Sequence, residues 1–103
     1  MAYTVIIIAP EGITSNTVQS KAPEYEQIKN TVGGLIQQVP HLTKLGSHKH
    51  GQMYVNEEGR LNNLPFNPEA TRIWLNNLGD GPFSYEPQLY GVAIYWAKVS
   101  KVK

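Results

Sequence analysis

The sequence predicts an α+β fold, a single domain over residues 1–103 with two helices packed on a mixed β-sheet. Three observations predict it. The runs at residues 3–9 and 90–99 are β-branched and aromatic, and apolar on both faces, as central strands covered on two sides are. Pro23-Glu24 and Pro68-Glu69 each open an apolar pattern of helical spacing. Glycines close both patterns, so the elements run strand, helix, strands, helix, strand.

Pro10-Glu-Gly12 breaks the first strand, and residues 13–21 are either a polar edge strand around Thr17-Val-Gln19 or a loop. Carboxylates at Glu24 and Glu26 favour the positive end of a helix dipole, and Tyr25, Ile28 and Val32 give that helix one apolar face. Gly33-Gly34 ends it, and Leu35-Ile-Gln-Gln-Val39 is a candidate strand closed by Pro40. Residues 41–51 are polar, basic and turn-rich, which suggests a mobile loop.

Gln52-Met-Tyr-Val55 and Arg60-Leu61 flank Asn56-Glu-Glu-Gly59 in the pattern of a hairpin with a glycine turn. Asn67 is the expected N-cap of the second helix, with Pro68 in its first position, and Ala70, Ile73, Trp74 and Leu78 fall on one face. The pattern places Trp74 and Trp96 together, between that helix and the last strand.

Composition narrows function by exclusion. Apolar residues at 41% support a folded core, while a net charge of +1 provides no field to attract nucleic acid or an anionic membrane. No cysteine is present, which removes disulfides, thiolate nucleophiles and cysteine metal sites. The first strand is too short for a signal-peptide core, and no run approaches the ~18 apolar residues that span a bilayer. A cytoplasmic protein is expected, in the host cytoplasm if it is phage-encoded.

Val32-Gly-Gly-Leu-Ile-Gln-Gln-Val-Pro40, Met53-Tyr-Val-Asn-Glu-Glu-Gly-Arg-Leu61, Leu64-Pro-Phe-Asn67 and Gly91-Val-Ala-Ile94 together resemble a domain-of-unknown-function family (3846) of small proteins from phages, plasmids and bacteria. The resemblance covers most of the chain after Pro23. It implies a mobile-element setting and a small α+β domain, and no established activity. Where the family carries a basic residue after the asparagine of its Leu-Pro-x-Asn segment, this chain has Pro68, so no role for that side chain carries over.

Four constellations bear on chemistry. His48 and His50 lie on one side of an extended segment, with His41, Glu57 or Glu58 as a third ligand, a set suited to zinc in a metal-dependent hydrolase; two histidines in a polar loop are more commonly solvated. Glu57 and Glu58 are adjacent, so their side chains diverge and do not form a facing acid/base pair. The free amides at the second helix start, at Asn67, suit an anion paired by Arg60 or Arg72, with Tyr54, Asn62 and Asn63 as base or ribose contacts; most helix starts meet only water and their own cap. Phe83, Tyr85 and Tyr90, in a proline-punctuated stretch, form either a partner-binding loop or a lid on the core.

Small size, near-neutral charge, the absence of a catalytic motif and the resemblance together favour a non-enzymatic accessory protein of a phage or mobile element. It would bind or sequester a host protein or a small anionic signalling ligand, for counter-defence or host takeover. No cofactor is implied. A homo-oligomer is expected, since a small domain rich in aromatics gains stability by burying them between copies.

Overall fold

A computed structural model describes residues 2–79 and 88–99. The elements are β1 (Tyr3–Ala9), β2 (Gly12–Gln19), α1 (Tyr25–Val32), β3 (Ile36–Gln38), β4 (Gln52–Asn56), α2 (Pro68–Leu78) and β5 (Ala93–Lys98). The strands form one sheet in the order β2-β1-β5-β4-β3. The two long apolar runs are neighbours at its centre, in register from Tyr3↔Lys98 to Ile8↔Ala93.

The α+β architecture and both helices match the sequence expectation; the sheet is antiparallel in all four described pairings rather than mixed. Strands apolar on both faces were expected at the centre of a doubly covered sheet. Here α1 connects the two opposite edges of the sheet. α2 begins at the same end of the sheet as β5, because Asn67 meets the chain entering β5. An antiparallel sheet is thus covered on both faces, a helix to each.

Strand alternation sorts the core into two clusters. Ile6, Ile8, Met53, Val55 and Tyr95 face α2 and its Ala70, Ile73 and Trp74. Val5, Ile94 and Trp96 face α1 through Ile28 and Val32. Each fully buried aliphatic side chain contributes roughly 2 kcal/mol of transfer free energy, so the clusters hold the layers together. Trp74 and Trp96 therefore lie in different clusters, contrary to the expectation that they share one. Odd-numbered Tyr95 faces α2 and even-numbered Trp96 faces away, where it stacks on Tyr54 with centroids 5.2 Å apart. Tyr25, expected on the apolar face of α1, is exposed at the helix start.

Several local expectations resolve. The polar stretch after Gly12 is an edge strand, bulged where Ile7↔Ser15 gives way to Ile8↔Ile13. Gln52–Asn56 does not form a hairpin with residues 60–61, which lie in turns; β4 pairs with β3 and β5 instead. Arg60 and Leu61 are exposed and offer no apolar face for a sheet to cover. The basic loop at 41–51 is tied down by buried Leu42 and by Asn77, whose Oδ1 accepts from Thr43 N and Lys44 N, each at 2.9 Å. Among the described residues no helix is long and apolar enough to cross a membrane.

Asn67 joins three elements. It is fully buried, and its Oδ1 caps α2 by accepting from Ala70 N at 3.0 Å. Its Nδ2 donates to Ile8 O at 2.9 Å, at the end of β1, and to Gly91 O at 2.7 Å, at the entry to β5. Asn67→Asp preserves the cap acceptor but removes both donors and turns a carboxylate towards two carbonyl oxygens. Although aspartate is a good N-cap elsewhere, this variant should lose about 3 kcal/mol by chemical denaturation, from a buried charge and two unsatisfied carbonyls. A loss under about 0.5 kcal/mol, the scale of an ordinary cap exchange, would refute the junction role.

Tyr95 is the buried titratable group of the α2 side. Its hydroxyl donates to Thr43 O at 2.9 Å, and burial pushes its pKa from 10.0 up to about 12. A Cβ at Gly51 would run into that hydroxyl and the Trp96 carbonyl, so glycine is required there. Because the folded state holds the proton more tightly than the unfolded state, Tyr95 contributes its full stability below pH 10 and loses it as pH rises through about 12. Melting curves across that window should fall more steeply for the native protein than for Tyr95→Phe. At neutral pH the variant should be about 1 kcal/mol weaker, from the lost hydrogen bond.

Candidate functional site

The start of α2 does not assemble the constellation that the sequence suggests. Asn67 is enclosed with both ends of its amide hydrogen-bonded inside the fold. Tyr54 points to the α1 side of the sheet, because it alternates with Met53 and Val55, and its hydroxyl donates to Gln52 Oε1 at 3.1 Å. Arg72 lies on the exposed flank of α2 in an ion pair with Glu69, which raises the arginine pKa and holds the carboxyl below its usual range. Asn62 and Asn63 sit exposed in a turn, the latter with φ of 58°. Of the six ligand residues expected, Arg60 alone reaches the cavity described next.

That cavity has a volume of about 420 Å³ and opens between the end of β4, α2 and the segment entering β5. Val55, Trp74 and Leu89 supply its apolar lining, and Gln37, Glu57, Arg60, Gln88 and Tyr90 its polar groups. Its volume falls within the range of small-molecule pockets, roughly 300–1,000 Å³.

Local structure explains both walls. On one side, Asn56 is buried at the end of β4: its Nδ2 donates to Val32 O at 3.3 Å and its Oδ1 accepts from Glu58 N at 2.8 Å. Gly59 N then donates to Asn56 O at 3.1 Å and Leu64 N to Gly59 O at 2.9 Å, which folds the Asn-Glu-Glu-Gly segment into a compact turn. A Cβ at Gly59 would sit 3.1 Å from Tyr90 O, so glycine lets the two walls approach. On the other side, Leu89 N donates to Thr71 Oγ1 at 2.9 Å, Asn67 N to Leu89 O at 2.8 Å and Gly91 N to Pro65 O at 2.7 Å. Tyr90 is held edge-on to Phe66 at 5.8 Å, and its hydroxyl donates to Gln88 Oε1 at 2.6 Å.

The cavity sets polar and apolar groups side by side. Arg60 is exposed and has no ion-pair partner among the described residues, so its guanidinium is available to an anion. The glutamines and the tyrosine add neutral donors and acceptors, and Trp74 and Leu89 present apolar surface. Trp74 Nε1 itself is used by the fold, donating to Pro40 O at 2.8 Å. Gln37, Val55, Trp74 and Leu89 were absent from the sequence expectation. Gln37, Val55 and Trp74 are unremarkable strand or helix residues by pattern and Leu89 lies just before the last strand, so nothing local marked them.

The remaining candidates are dispersed. His48 pairs through its backbone with Leu45, and His50 takes a left-handed φ of 61°, so the two do not continue one extended strand. Among the described residues no group of three or more His, Asp or Glu is placed to hold a metal. Glu57 and Glu58 are exposed neighbours in the turn. Tyr90 stands in the cavity wall, whereas Phe83 and Tyr85 lie outside the described residues.

Residues 3–95 match the family described as "Domain of unknown function (DUF3846)". No curated protein and no solved structure matches the chain.

Proposed function

This chain belongs to the DUF3846 family, and from that premise we propose that it acts by binding: the cavity around Arg60 captures a small anionic ligand. The observation that carries this reading is an arginine without an ion-pair partner among the described residues, at a cavity of about 420 Å³ that combines polar and apolar lining. Among the described residues the lining contains no histidine and no serine, threonine or lysine nucleophile, which favours a binding role over group transfer.

In the wider setting, the protein is an accessory factor of a phage or other mobile element that sequesters a signalling ligand of its host. Support for that setting is the motif resemblance to small phage and plasmid proteins. Sequestration suits a cavity of this size in a protein with a net charge of +1, since local pairing at Arg60 selects the ligand rather than a global field. Capture of a host protein by the same surface is the alternative, and the cavity's volume favours the small ligand.

A thermal-shift panel of nucleoside phosphates and small carboxylic acids tests the reading. A bound member present at 100 times its dissociation constant should stabilise the native protein by about 2.7 kcal/mol. Arg60→Ala should lower affinity at least tenfold while leaving the unliganded melting temperature within about a degree, because the side chain is exposed. If no panel member shifts the melting temperature and native mass spectrometry finds nothing retained from a metabolite extract, the ligand reading is wrong.

A further inference from the structure

We propose that β2 is a self-association edge, at which two copies of this chain join their sheets antiparallel about a two-fold axis near Asn16. The sheet's two edges are built differently. β3 is only three residues long, which leaves little backbone to template another strand. β2 has eight residues, and among the described residues no strand pairs with its outer side. It carries no charge and no proline, the usual means by which an edge strand keeps other strands away. Val18 is 65% exposed and Ile13 51% exposed on it, the latter lining a second cavity beside Arg72 and Ile73 of α2.

Charge placement selects the occupant. The strand is neutral, yet an exposed Glu11 precedes it and an exposed Lys21 follows it. When the strand meets a copy of itself antiparallel, Glu11 of one copy approaches Lys21 of the other, and the two-fold axis repeats the pair at the far end. A parallel arrangement would set glutamate beside glutamate and lysine beside lysine. The strand's own flanks thus favour its copy in one orientation, and the unpaired backbone groups of the outer side supply the hydrogen bonds. Ile13 and Val18, both placed on the α2 side of the sheet by the bulge between Ile7 and Ile8, supply apolar surface beside the seam.

A single strand pair is a small interface, so association should depend on concentration. Sedimentation across a dilution series should show the mass rising from that of one 11.5 kDa chain towards twice that value. Lys21→Glu should weaken the dimer roughly tenfold, because the axis applies one change twice, and adding Glu11→Lys should restore it. Val18→Lys should abolish association, whereas Leu61→Lys, at an exposed turn away from the sheet edge, should not. Amide exchange should slow in residues 12–19 as concentration rises. A chain that stays monomeric at the highest soluble concentration overturns the proposal, as does a dimer indifferent to Lys21→Glu and Val18→Lys or one that leaves the amides of β2 unprotected. Circular dichroism on each variant separates loss of pairing from loss of fold. These outcomes do not depend on Arg60 or on any ligand of the cavity.

Discussion

A single buried amide sets the relation between the layers. Asn67 caps α2 with its oxygen and reaches across with its nitrogen to carbonyls at the end of β1 and the entry to β5. Burying an amide costs free energy unless every donor and acceptor is satisfied, so the position of α2 over the sheet is specified closely. Hydrophobic burial between α2 and the sheet supplies most of the attraction but little directional preference. The hydrogen bonds supply the direction. With Asn67 in place, Leu89 and Gly91 are drawn beside the helix start, and the segment between them becomes one wall of the cavity.

Asn56 plays a matching part on the other side. It closes the C-terminal end of α1 through the Val32 carbonyl and turns the chain after β4 through Glu58 N. Gly34 lies so near that an added Cβ would come 2.8 Å from the Asn56 amide, which explains the second glycine after α1. Two buried asparagines, each satisfying backbone groups at a helix end, thus bracket the cavity. Motifs with the look of ligand contacts serve the backbone, while Arg60 stays exposed with no ion-pair partner among the described residues.

The two faces of the sheet are closed by helices, and its two edges are left to different fates. A three-residue edge is protected by its own shortness, while an eight-residue neutral edge has nothing in its side chains to discourage pairing. Stability of a chain this small rests on two thin core layers, so any further burial between copies carries weight.

The sequence by itself determined what depends on near neighbours. The central strands, the caps at Gly33 and Asn67 and, Tyr25 apart, the apolar faces of both helices were legible, because periodicity and capping are local. What only tertiary structure decided were relations between distant segments. Sheet direction followed from where α2 and β5 begin, and Trp74 and Trp96 were separated by strand alternation across a layer. The expected ligand group was divided for the same reason: Tyr54 alternates away from the cavity, Arg72 is engaged by Glu69 and Asn67 is consumed by the junction. A cavity is the space left between elements once they have packed, and its lining of Gln37, Val55, Trp74 and Leu89 comes from four separated stretches of chain. Spacing along the chain carries no record of that meeting, since long-range packing creates it.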